Sequence, residues 1–133
     1  MTSKVIYTGS LRTEAEHLKS GAKIITDAPT DNHGKGEAFS PTDTVATALA
    51  SCMLTVMGIK AEDLKLNLKG TMAEVTKTME ANPRRISKVE IVITFPEKYS
   101  EKSKKILEHT AKTCPVLQSL HPDMEKLISF NYL

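Results

Sequence analysis

Ser40-Pro41-Thr42-Asp43-Thr44-Val45-Ala46-Thr47-Ala48-Leu49-Ala50-Ser51-Cys52-Met53-Leu54-Thr55-Val56-Met57-Gly58-Ile59 is the stretch on which the fold turns. Its start carries three agreeing helix signals: Ser40 suits the N-cap, Pro41 the first helical position, and Asp43 the acidic place of a capping box. The helix is predicted to run to about residue 61. Val45, Leu49, Cys52, Val56 and Ile59 recur at 4-3-4-3 spacing and make one apolar stripe. The other faces are equally uncharged, so the helix is expected to be buried on all sides. A chain of 133 residues has little material to cover it that fully; a wrapping sheet, a second subunit, or both would do so.

Outward from this helix the pattern is that of one α+β domain over residues 1–133. Val5-Ile6-Tyr7, Leu11 to His17 and Ala22 to Thr26 read as strands, with a Gly9-Ser10 turn between the first two. A loop rich in Gly, Asp, Asn and Pro follows from Asp27 to Gly36. Leu64, Leu66 and Leu68 alternate as a strand does, a pattern that continues past Gly70 toward Met79. Val89, Ile91, Ile93 and Phe95 give the cleanest alternation in the chain, a half-buried strand. Ser100 caps a predicted helix over 101–113, Pro115 to Leu120 form a short one, and Ile128 to Tyr132 close as a strand. That order points to antiparallel pairing.

Composition narrows the function. Apolar residues make up 40% and charged residues 26%, and the net charge is +2, as in a soluble globular domain. Three tyrosines, three phenylalanines and no tryptophan leave little for base stacking, so no nucleic-acid partner is expected. Lys98, Lys102, Lys104 and Lys105 are interrupted by Glu97 and Glu101 and read as a solvated helix face. The N-terminus shows no secretory signal, and the uncharged run from Thr44 to Ile59 falls short of the roughly 18 residues of a membrane span. The expectation is a cytoplasmic protein with no membrane association. No four residues among His17, His33, His109, His121 and the two cysteines show zinc-ligand spacing, no phosphate-binding glycine loop is present, and no cofactor is expected.

The two cysteines are the chemistry to weigh. A thiol reacts as its thiolate. Cys114, before Pro115 at a helix start, lies near backbone N–H groups that favour an anion. Cys52 lies some three turns into its helix among apolar neighbours that favour the neutral thiol. Composition alone therefore reads Cys52 as a core residue and Cys114 as the more activated thiol.

Phe39-Ser40-Pro41-Thr42-Asp43, Ala48-Leu49-Ala50-Ser51-Cys52-Met53 and Cys114-Pro115-Val116 together resemble the OsmC/Ohr family, the osmotically inducible protein C and organic hydroperoxide resistance proteins. Tyr7-Thr8-Gly9-Ser10-Leu11-Arg12, Thr26-Asp27-Ala28-Pro29 and Ser119-Leu120-His121-Pro122-Asp123 are similar to its OsmC-like branch. The resemblance runs in order along nearly the whole chain. It implies an intertwined homodimer with antiparallel sheets wrapped around central cysteine-bearing helices. It also implies a thiol-dependent peroxidase of organic hydroperoxides, in which Cys52 is peroxidatic, Cys114 resolves, and an external dithiol of lipoyl type recycles the pair. This reverses the roles that composition suggests and requires a cation at Cys52; Arg12 is the match, since no other arginine precedes Arg84.

The resemblance further implies a carboxylate that orients the arginine. In the hydroperoxide resistance branch that acid directly follows the helix proline; here Thr42 stands there and the acid is Asp43. Nine helical residues, about 13 Å of rise, separate Asp43 from Cys52, so Asp43 does not reach Cys52 along its own helix. Asp43 fits the capping box as well as a catalytic role, and Glu37 is the other candidate. Two alternatives to the peroxidase stand beside it: a non-enzymatic dimer that binds an apolar small molecule, and a cysteine enzyme acting on another electrophile such as a thioester.

Overall fold

The computed structural model describes residues 1–133, which group into two compact units, Met1–Val45 and Ala46–Leu133. The first holds a three-stranded antiparallel sheet of β1 (Ser3–Gly9), β2 (Arg12–His17) and β3 (Lys23–Asp27), in that order. Ser10 and Leu11 both take positive φ, 53° and 61°, as a two-residue hairpin turn matched to strand twist demands. That turn makes Arg12 the first residue of β2. Its register partner on β3 is Asp27. A short 3-10 turn, Thr30–Asn32, lies in the loop that leads to the helix. Gly34 is obligatory there: a Cβ would stand 1.7 Å from the Ala28 carbonyl oxygen.

The helix α1 spans Pro41–Leu64. Ser40 Oγ accepts the Asp43 backbone N–H at 3.0 Å, and the Asp43 carboxylate accepts the Ser40 N–H at 2.9 Å. This is the reciprocal capping box that the sequence predicts. The far end runs one turn beyond expectation. Leu66 N–H bonds the Ala61 carbonyl at 2.9 Å and Lys65 N–H that of Glu62 at 3.1 Å, with Lys65 at φ 56°. That is a Schellman cap closed by a lysine rather than a glycine. The cap corrects the strand expected from Leu64 through Leu68, where the leucines end a helix and form the turn after it.

The second unit is built on β4 (Met72–Glu80), β5 (Arg85–Phe95) and β6 (Glu125–Tyr132), with α2 (Glu101–Ala111) and α3 (Pro115–Ser119) between the last two strands. β4 and β5 pair antiparallel, as expected, whereas β6 runs parallel to β5. The intervening α2 and α3 supply the crossover that a parallel neighbour requires. Val89, Ile91, Ile93 and Phe95 form the buried face of β5, as their alternation predicts. Ser100 caps α2 by accepting the Ser103 N–H at 3.1 Å.

The core of this unit joins those β5 residues to Leu107, Ala111, Cys114 and one face of α1: Ala46, Leu49, Ala50, Met53, Met57 and Ala61. The buried face of α1 thus differs from the predicted stripe. Leu49 belongs to both, but Val45 and Ile59 are exposed, the latter by 62%. By length and composition α1 could cross a membrane, in contrast to the shorter charge-free run counted in the sequence, and a third of its most apolar window is buried within the chain. Its buried residues pack in the core beside β5, as those of a core helix do.

Candidate active site

The candidate side chains fall into two groups, one in each unit. In the second unit, Cys52 sits mid-way along α1, partly exposed, and Cys114 is fully buried. Both are free thiols. Cys114 is the N-cap of α3, ahead of Pro115, and its Sγ accepts the Leu117 backbone N–H at 3.4 Å. The position before a proline disfavours helical backbone, so Cys114 is extended, at φ −64° and ψ 145°.

Burial raises the pKa of the Cys114 thiol; hydrogen bonds from the Leu117 and Val116 N–H groups pull it back in part, and the neighbouring Cys52 thiol raises it further by hydrogen bonding and charge. Cys52 is therefore near enough to Cys114 to bear on the ionisation of the buried thiol. This corrects the expectation that Cys114 is the activated thiol: desolvation outweighs the helix-start amides. Cys52, expected in the core, is the more accessible of the two.

The first unit holds the charged group. Arg12 Nε donates to Asp27 Oδ1 at 2.7 Å and Arg12 Nη2 to Asp27 Oδ2 at 2.8 Å, a two-pronged ion pair. Arg12 Nη2 also reaches Glu37 Oε1 at 3.2 Å. The Asp27 hydrogen bonds hold Arg12 more firmly protonated than a free arginine. Reciprocally, the Arg12 hydrogen bonds lower the Asp27 pKa against the burial that would raise it.

Of the two carboxylates predicted for Arg12, Glu37 touches it and Asp43 is engaged in the capping box with Ser40. The principal partner, Asp27, was not foreseen. The usable signal was its place at the end of a strand beside the strand that starts at Arg12, where register sets the two side chains opposite each other. No group of three or more His, Cys, Asp and Glu side chains converges to hold a metal ion. His121 is exposed, and its Nδ1 accepts the Asp123 N–H at 3.0 Å.

Comparison with known proteins assigns the fold and the family. The family model described as OsmC-like protein matches residues 34–125. Among solved structures, a candidate osmotic stress induced and detoxification response protein from Psychrobacter arcticus is 58% identical, with a TM-score of 0.96 over 98% of this chain and 96% of that one. An organic hydroperoxide resistance protein OsmC from Legionella pneumophila shares the fold at 17% identity, with a TM-score of 0.76 over 98% and 97% of the two chains. A candidate organic hydroperoxide resistance protein from Vibrio cholerae, with captopril bound in one of its active sites, does so at 15% identity, with a TM-score of 0.76 over 100% and 93%. Comparison with curated proteins gives no match. The match over 34–125 and the 58% identity across nearly the full length place the chain in the OsmC-like protein family.

Proposed function

We propose that this chain is a thiol-dependent peroxidase of organic hydroperoxides, with Cys52 as the peroxidatic and Cys114 as the resolving cysteine. The observation that carries the reading is the pairing of an accessible thiol with a buried one that senses it. The Cys52 thiolate attacks the terminal peroxide oxygen. An S–O bond forms, the O–O bond breaks, and the alkoxide leaves as an alcohol after taking a proton; sulfur is oxidised and the peroxide reduced. Cys114 then gives up its proton and attacks the Cys52 sulfenic acid. An S–S bond forms and the hydroxyl departs with that proton as water. An external dithiol, of lipoyl type, restores both thiols by exchange and is itself oxidised.

The division of labour follows from access and ionisation. A buried thiol with a raised pKa is slow toward peroxide in solution but is well placed for a sulfenic acid formed beside it. Leu54 and Val56, packed against the same core as Cys52, give the alkyl part of a bulky hydroperoxide apolar surroundings. In the same reading Arg12, held by Asp27 and Glu37, is the cation for the Cys52 thiolate.

A homodimer completes the proposal. Val5, Ile6 and Tyr7 on β1, Ile24 and Ile25 on β3, and Val45 and Ile59 on α1 are all exposed. Apolar surface so extensive is characteristic of a subunit that associates. The protein is a soluble one, acting in the cytoplasm. Cys52→Ser is the test: hydroperoxide consumption by reduced protein with a dithiol should fall to the rate of buffer and dithiol alone. Undiminished consumption would reject Cys52 as the nucleophile.

A further inference from the structure

A cleft of about 540 Å³ opens in the second unit, at the edge of its sheet. That volume falls within the roughly 300–1,000 Å³ of small-molecule sites. Ile91, Leu117 and Ile128 give it an apolar lining, and Lys112, Lys126 and Glu90 a charged one. Neither thiol lines it, nor does any residue of α1, so it is separate from the cysteine pair.

The alternation of β6 explains how charge comes to sit beside an apolar floor. Lys126, Ile128 and Phe130 are half-buried between exposed Glu125, Leu127, Ser129 and Asn131. Ile128 is in register with Ile91, and Lys126 with Val89, both buried in the core. Register partners share a face of the sheet, so β6 sets an ammonium on the face that carries the core. Lys126 Nζ donates to the His121 carbonyl at 2.8 Å, which uses one of an ammonium's donors and leaves the others available. On the other side of Ile128, Lys112 holds its Nζ over the Phe130 ring, 5.9 Å from its centre. Lys126 and Phe130 lie about 13 Å apart along the strand, with Ile128 between them. Both ammoniums thus have neutral partners. Glu90 does not offset them: its neighbours Val89 and Ile91 point into the core, so its carboxylate faces the other side of the sheet, where it pairs with Lys88 at 3.8 Å.

We propose that this cleft is a binding site for a medium-chain carboxylate, with the alkyl chain against Ile91, Leu117 and Ile128 and the carboxylate at the lysines. Each half of the site selects one half of the ligand. Covering the apolar floor removes hydrocarbon surface from water. The same cover would strand the ammoniums without a counter-charge unless the ligand brings an anion, and a carboxylate answers them with charge-assisted hydrogen bonds. A small inorganic anion would leave the floor wet, and a neutral chain would leave the charge unmatched. An amphipathic carboxylate satisfies both.

The test uses the reduced full-length protein, methyl-labelled for NMR at isoleucine and leucine and titrated with octanoate and with 1-octanol, which share a chain length and differ in charge. Octanoate should shift the methyl signals of Ile91, Leu117 and Ile128 saturably, and octanol should bind at least about tenfold more weakly. Lys112→Gln should weaken octanoate binding by about threefold, and Lys112→Gln/Lys126→Gln should reduce it to the level of octanol. Equal affinity for the two ligands, no saturable shift, or shifts confined to other methyls overturns the site. So does octanoate binding that the lysine variants leave unchanged, in which case Lys126 is only an inward charge that keeps the β6 edge from pairing. Sedimentation velocity on the same variants supplies a further check: a changed assembly state means that the cleft is a contact between subunits, and overturns the proposal too. Should the double variant fail to fold, exposed Lys112→Gln and the octanoate–octanol comparison on the parent decide the matter.

Discussion

Cys114 Sγ accepts the Leu117 backbone N–H at 3.4 Å, yet the Cys114 thiol is harder to ionise than a free cysteine because burial dominates. A sulfur can thus cap a helix and still remain protonated near neutral pH. In native protein at pH 7, iodoacetamide should label Cys52 well ahead of Cys114, and Cys114 labelling should rise only in alkali. Faster labelling of Cys114 would mean that its amide neighbours outweigh its burial. The linked stability has a definite sign. A thiol with a raised folded pKa contributes stability that is fully present below the unfolded cysteine pKa, about 8.5, and is lost as pH rises above it. Thermal midpoints measured from pH 7 to 10 should fall in the parent and fall less in Cys114→Ser.

Ser40 and Asp43 close the first turn of α1 through bonds of 3.0 and 2.9 Å. Ser40→Ala should lower stability by about 1 kcal/mol, read by chemical denaturation. Asp43→Ala should destabilise in the same direction and leave the Cys52 alkylation profile where it is. A moved profile would restore Asp43 as a candidate for the site.

Asp27 is ionised more readily than a free carboxylate because Arg12 bonds it. A lowered folded pKa contributes stability above the unfolded carboxylate pKa, about 3.9, and loses it as pH falls further. Removing Arg12 leaves Asp27 buried without its cation, and burial then favours the neutral acid. The stability gap between parent and Arg12→Ala should therefore be widest above about pH 4 and close on acidification. Unfolding curves at pH 3 and pH 7 supply the comparison; an equal gap at both would contradict the pair's weight.

The two faces of α1 should respond in opposite ways. Met57 is fully buried, and Met57→Ala should cost about 2–5 kcal/mol of stability. Ile59 is 62% exposed, and in the proposed dimer Ile59→Glu should weaken self-association with little loss of subunit secondary structure. Sedimentation velocity reads the first effect of that change and circular dichroism the second. A fully retained dimer would place the contact elsewhere.

Where sequence signals are local, they carried. The Ser40-Pro41-Asp43 start, the Ser100 cap, the break at Cys114-Pro115 and the alternation from Val89 to Phe95 each depend on a few adjacent residues, and each is found in the structure. The buried face of α1 was not legible, because a helix that is apolar all round gives its own periodicity nothing to select. Ala46, Met53 and Met57 face inward only because of what packs against them. Lys65 in the left-handed region carries no glycine to announce the cap. Asp27 looked like the start of a loop, and its role depends on a partner fifteen residues away that only strand register supplies. The reduced accessibility of Cys114 is likewise a tertiary property that its helix-start setting concealed.

On the proposed mechanism Cys52 and Cys114 act as one redox pair, and peptide mapping of reduced protein after one equivalent of an organic hydroperoxide puts that pairing to the proof. A working pair gives rapid loss of two hydrogens and a single linked species joining the Cys52 and Cys114 peptides, with one equivalent of alcohol released. Two unmodified thiols in folded protein, with the hydroperoxide unconsumed, would contradict it.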